Sequence, residues 1–195
     1  MSLANTDPFE AEALGLGPVD SGTSILLTGD DTDALEAVFY RLVAPADDEQ
    51  SVLLATDTRG TTVQRTLSGV ARGADDRTTI LTSEGPDRGD DVTSVDDISD
   101  LTGVGMEFST QFAEATQETD RLRAGILLCS TIMSQIDDTR SVYRFLNSNF
   151  LTELRRSGGV GVCAIDTSAD IGADMNSTIA GLNTSFKAHI HVEST

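Results

Sequence analysis

The stretch Ser24-Ile25-Leu26-Leu27-Thr28-Gly29-Asp30-Asp31-Thr32-Asp33-Ala34-Leu35-Glu36 has the layout of a phosphate-binding turn. An apolar run of strand length meets a glycine, and a helical pattern follows. A working loop of this kind reads G-x-x-x-x-G-K-(S/T). Its glycines let backbone N–H groups wrap the phosphates, its lysine neutralises the outer ones, and its hydroxyl holds magnesium. Counted from Gly29, Ala34 stands at the second glycine, Leu35 at the lysine and Glu36 at the hydroxyl. Asp30, Asp31, Asp33 and Glu36 surround the helix N-terminus, where they satisfy its free N–H groups and repel a triphosphate. Losing the lysine alone removes a charge-assisted contact worth about 1.5–3 kcal/mol. Gly29 to Glu36, Thr32 included, therefore reads as a vestigial phosphate loop. No cofactor is expected; ATP with magnesium, held by atypical contacts, is the alternative.

Other residues suggest other chemistries. Asp30, Asp31 and Asp57 follow apolar runs and would together make a hard-cation site. In a receiver domain an acidic pair and a phospho-accepting Asp share one magnesium ion, helped by a hydroxyl and a lysine. Thr82 or Ser83 could supply that hydroxyl, but Lys187 lies far too late in the chain. His189 and His191 alternate along one run and so share a face, with no third metal ligand apparent. Cys129 and Cys163 sit in apolar runs, without the C-x-x-C spacing or nearby histidine of a metal or redox site, and read as buried small hydrophobes. Ser130 and Ser168 lack a G-x-S-x-G context.

Composition narrows the partners. The chain has 195 residues, 32 acidic and 13 basic, and a net charge of -19. Lys187 is its one lysine, and Arg supplies the other cations. Such a surface suits molar salt, where repulsion is screened over about 3 Å. A halophilic cytoplasm is the expected setting. No basic stripe exists to displace counterions, so nucleic acid is not expected as a partner. The longest apolar run, Gly125 to Met133, is too short to cross a bilayer. The acidic N-terminus does not read as a secretory signal.

The elements that must carry these residues alternate. Residues 1–20 read as a flexible acidic arm and 21–195 as one domain. Buried strands are expected at Ser24–Thr28, Ser51–Thr56, Thr78–Ser83, Gly125–Thr131, Val160–Ile165 and Ala188–Glu193. A helix through Leu35, Val38, Phe39, Leu42 and Val43 carries a capping box at Asp33 and Glu36 and stops before Pro45. A short helix covers Thr61–Leu67. Residues 84–100 form an acidic loop, Leu101–Gly105 a short strand or turn, and Phe108–Arg123 a helix. The clearest helix is capped by Asp137 or Asp138. It faces inward through Val142, Phe145, Leu146, Phe150, Leu151 and Leu154, and ends at Gly158-Gly159. A further short helix is suggested by Ile179 and Leu182. Continuous apolar strands alternating with helices indicate an α/β three-layer sandwich with a mainly parallel sheet. Ligands in such sheets bind beyond the carboxyl ends of the strands.

The segment order resembles the KaiC branch of the RecA-like ATPases. The resemblance rests on Gly22-Thr-Ser-Ile-Leu-Leu-Thr-Gly29, Ser51-Val-Leu-Leu-Ala-Thr56, Gly125-Ile-Leu-Leu-Cys-Ser130, and Leu151-Thr-Glu-Leu-Arg-Arg-Ser-Gly-Gly159 before Val160-Gly-Val-Cys-Ala-Ile-Asp166. With its acidity, the chain is more narrowly similar to haloarchaeal proteins labelled HTR-like, after halobacterial transducers. The resemblance implies a RecA-like topology and places Asp57 where relatives carry an acid that activates water. It also puts Cys129 or Ser130 where relatives carry the Asp of a second magnesium-site motif. The expected function is a non-catalytic regulatory or signal-transduction domain acting through a protein partner, with homo-oligomerisation compatible. An ATP-binding switch and a magnesium-dependent receiver-like domain are the alternatives.

Overall fold

The computed structural model describes residues 7–11, 14–85 and 91–194. Seven strands form one sheet: β1 (Ser24–Gly29), β2 (Gln50–Ala55), β3 (Thr78–Thr82), β4 (Val92–Ser94), β5 (Leu122–Leu127), β6 (Val160–Asp166) and β7 (Ala188–Val192). Their spatial order is β4-β3-β2-β5-β6-β1-β7, and every pairing is parallel. The helices are α1 (Thr32–Val43), α2 (Gly60–Val70), α3 (Leu101–Glu118), α4 (Cys129–Gln135), α5 (Thr139–Phe145), α6 (Thr152–Ser157) and α7 (Met175–Asn183).

Successive strand residues point to opposite faces, and both faces are apolar. Ile25, Leu27, Leu53 and Val162 meet α1 and α2, while Leu26, Leu54, Ile126 and Cys163 meet the other helices. That is why the strands read as continuous hydrophobic runs. The helices divide as right-handed crossovers require. Those leaving strands toward the β4 edge, α1 and α2, share one face, and those on the return cover the other. Gly125 lets α1 lie close on β5, since a Cβ there would meet Phe39 Cζ at 2.6 Å.

Several expectations change. The acidic loop expected at 84–100 contains β4, although residues 86–90 lie outside the described ones. Leu101–Gly105 is the first turn and more of α3, not a strand, because the Asp100 carboxylate caps the Gly103 N–H and buries Val104. That helix stops at Glu118, and Leu122 and Arg123 belong to β5. β5 ends at Leu127 rather than Thr131, since Leu128 turns left-handed (φ 60°, ψ 62°) and α4 begins at Cys129. The helix capped by Asp138 runs α5 to α6 through a π-helical turn at Leu146–Leu151 and closes at Gly158 (φ 69°).

The N-terminal segment, expected as a loose arm, is packed where it is described. Phe9 is 1% exposed and exchanges two 2.7 Å backbone hydrogen bonds with Val19. Two guanidinium groups lie over its ring, Arg121 at 4.4 Å and Arg123 at 5.3 Å. The same groups donate to the carbonyls of Asp7, Pro8 and Glu10. Arg123 also donates to the Leu42 carbonyl and pairs with Glu49, which is 2% exposed. Buried cations thus tie the arm, α1 and β5 together. Arg123→Ala would leave the Glu49 carboxylate with weaker compensation. It is expected to destabilise the fold by about 3–5 kcal/mol, read by urea unfolding at fixed potassium chloride.

Candidate functional site

Because all strands run the same way, their carboxyl ends line one edge of the sheet. Threonine and serine hydroxyls tie those ends together. From β3, Thr82 Oγ1 donates to the Thr58 carbonyl (2.7 Å) and Ser83 Oγ to the Thr56 carbonyl (2.8 Å). Thr56 Oγ1 lies 2.9 and 3.0 Å from the carbonyls of Leu127 and Leu128, bracing the left-handed turn after β5. Ser130 Oγ accepts the Asp166 N–H at the end of β6 (3.1 Å). Asp166 in turn accepts from Thr32 Oγ1 (2.9 Å) at the start of α1 and from Ser168 Oγ (2.6 Å). Burial would raise the Asp166 pKa, but the Ser168 hydroxyl and N–H and the Thr32 hydroxyl outweigh it and hold it below the usual carboxylate range.

The turn that resembles a phosphate loop is short. Only Asp30 and Asp31 separate β1 from α1. Asp31 is the helix cap, its Oδ1 accepting the Ala34 N–H at 3.1 Å and its carbonyl the Leu35 N–H at 2.9 Å. The capping box expected at Asp33 and Glu36 does not form: the cap is Asp31, two residues earlier, Ala34 has no polar side chain to complete a box, and Asp33 stands exposed in the first turn. Leu35, at the lysine position of the motif, is fully buried. Gly29 packs on β7, where a Cβ would meet the Val192 carbonyl oxygen at 2.9 Å.

The structure does not bring Asp57 to Asp30 and Asp31. β5 and β6 lie between β1 and β2, so the two strand ends are about 14 Å apart at ordinary strand spacing. Among the described residues, no group of three or more His, Cys, Asp or Glu side chains could hold a metal ion. Thr82 and Ser83 spend their hydroxyls on backbone carbonyls, and Lys187 precedes β7, at the opposite edge of the sheet. The receiver-like arrangement has no geometric basis here.

Asp57 instead faces the flank of α1. Burial pushes its pKa up, with Glu84 adding to the rise, while hydrogen bonds from Thr58, its own backbone N–H and Thr131 oppose it. Glu36 is also raised, by burial first and then by Asp57 and Asp33. The buried Tyr40 hydroxyl is raised too, by burial and then by Glu36 and Asp57. These groups form an acidic patch that sequence reasoning did not assemble, because α1 passes over β6 and β5 before reaching β2. Cys129 and Cys163 are buried as expected, and the Cys163 thiol is pushed well up by its hydrogen bond with Cys129 and by burial. The linking role of Thr56 and Thr82 was also missed. The signal available was a threonine ending each apolar run.

Solved structures of the same fold define the class. The chain is similar to the KaiC-like protein PH0186 of the hyperthermophilic archaeon Pyrococcus horikoshii OT3, at 14% identity and a TM-score of 0.61 over 97% of this chain and 82% of that one. A second protein of that organism, PH0250, matches at 11% identity and a TM-score of 0.58, covering 88% of this chain and 82% of that one. A prototypical ATPase from the type III secretion system of pathogenic bacteria matches at 11% identity and a TM-score of 0.61. There the match takes in 96% of this chain but 56% of the ATPase. The fold is that of the RecA- and KaiC-like ATPases. Residues 22–192 match the model of a family of unknown function, DUF7504, and the chain belongs to that family. None of the curated proteins matches it. Among the described residues no helix is long and apolar enough to cross a membrane.

A carboxyl group with a raised folded-state pKa binds its proton more tightly in the native chain than in the unfolded one. Asp57 and Glu36 thus favour folding below the unfolded value, and that contribution is lost as pH rises through the folded value. Asp57→Asn is expected to stabilise the protein near pH 7 by less than about 1 kcal/mol, since the site is half-exposed and screened. The gain should disappear below about pH 4. Thermal melts across that range at constant salt provide the check.

Proposed function

We propose that this chain is a RecA/KaiC-fold domain that has lost its nucleotide cradle and works in regulation or signalling through contact with a protein partner. The observation that carries the reading is the two-residue Asp30–Asp31 turn between β1 and α1. A phosphate loop needs several residues whose N–H groups point at the anion. Here Asp31 already occupies the Ala34 N–H, and Leu35 is packed in the core. Asp30, Asp31 and Asp33 add negative charge where a triphosphate would have to sit, and fold alone does not assign an activity.

The rest of the chain is consistent with this reading. The position that the KaiC resemblance pairs with a water-activating acid holds Asp57, which is hydrogen-bonded by Thr131 and whose charge is felt by Glu36. The surface is that of a protein kept soluble in a salt-rich cytoplasm by its carboxylates, with a net charge of -19. Ring contacts made through bound nucleotide are not expected, so any self-association would use other surfaces.

Calorimetric titration with Mg-ATP in concentrated potassium chloride tests the proposal. No saturable binding is expected up to about 1 mM, a ligand concentration at which even a weak complex of about −4 kcal/mol would be half-formed. Micromolar affinity would overturn it.

A further inference from the structure

At the free edge of the sheet, two imidazoles converge on one oxygen. His189 Nε2 lies 2.7 Å and His191 Nδ1 3.0 Å from Thr28 Oγ1. The reason is register. In the pairing of β1 with β7, Leu26 stands opposite His189 and Thr28 opposite His191, so all three side chains emerge on the same face. Thr28 is 1% exposed, whereas both histidines are exposed on the edge strand.

A third group orients the first ring. The Asn183 amide nitrogen, Nδ2, on the last residue of α7, stands 3.3 Å from His189 Nδ1. Amide oxygen and nitrogen exchange places by a simple flip. With its oxygen toward the ring, Asn183 accepts the Nδ1–H and leaves Nε2 as a lone pair aimed at Thr28. An outer partner fixing the tautomer in this way is characteristic of histidines that bind metals.

We propose that His189 Nε2, His191 Nδ1 and the Thr28 hydroxyl form a site for a borderline divalent ion such as zinc or copper(II), with its remaining positions open to water or an incoming ligand. Two imidazoles select such ions over magnesium or calcium, which prefer all-oxygen shells. Zinc sits about 2.0–2.1 Å from imidazole nitrogen. The two rings must therefore swing outward slightly to admit it, and their exposure leaves room for that. Asp30, Asp31 and Asp57 take no part.

The test is calorimetry with zinc chloride on the full chain in concentrated potassium chloride, alongside copper(II) electron paramagnetic resonance. One saturable ion per chain is expected. His189→Asn and His191→Asn should each weaken binding tenfold or more, and Asn183→Ala should cost roughly tenfold, as outer-shell losses do. Copper bound to the unsubstituted protein should show hyperfine coupling to two nitrogens, a readout that needs no variant to fold. Absence of saturable binding would overturn the proposal. So would unchanged affinity in the doubly substituted His189→Asn/His191→Asn protein, which would assign the ion to surface carboxylates, or a copper spectrum without two nitrogens.

Discussion

The position of β1 in the sheet governs the rest of the structure. It lies between β6 and β7, three strand spacings from β2, although the two strands are consecutive in the chain. The connection must therefore pass over β6 and β5, and α1 does so, packing on both. This long crossover carries Glu36 and Tyr40 away from the end of β1 and toward Asp57 at the end of β2. It also keeps Asp30 and Asp31 away from Asp57. One topological fact thus assembles one carboxylate cluster and forbids another.

Holding seven parallel strand ends in line requires polar groups that find partners within the protein. The hydroxyl contacts from Thr82 to Asp166 supply them. Thr56 is the centre of that row, because its oxygen lies between two carbonyls of the turn that ends β5. That turn puts a non-glycine residue, Leu128, in the left-handed region at a cost of about 1–3 kcal/mol. Strain of this size persists only where the surroundings over-determine the backbone. The paired carbonyls and the buried Leu128 side chain do so here.

The opposite end of the sheet is organised by charge. Arg121, Arg123 and Glu49 are nearly inaccessible in a chain whose surface is dominated by carboxylates. Their geometry joins the segment around Phe9 to α1 and β5 through backbone carbonyls and an aromatic face. Arginine suits this role because its guanidinium donates in several directions while lying flat against a ring. The acidic composition therefore describes the surface, whereas the few cations include structural members of the interior.

The linear pattern was enough for the class of fold, the seeds of most strands and the inner face of the helix from Val142 to Leu154, since hydrophobic periodicity is a local property. It also shows that Ala34, Leu35 and Glu36 stand at the positions a phosphate loop gives to glycine, lysine and a hydroxyl, since residue type is a local property. β4 is three residues long, too short for a periodic signal, and Leu101–Gly105 joins α3 because the Asp100 cap outweighs the glycines that follow. Tertiary structure alone decided which strand ends are neighbours. That decision packed Phe9 under two arginines, set Asp57 beside Glu36 instead of Asp31, and turned His189 and His191 onto Thr28. Each of these contacts joins residues distant in sequence through strand order and register, which no local pattern of residue types encodes.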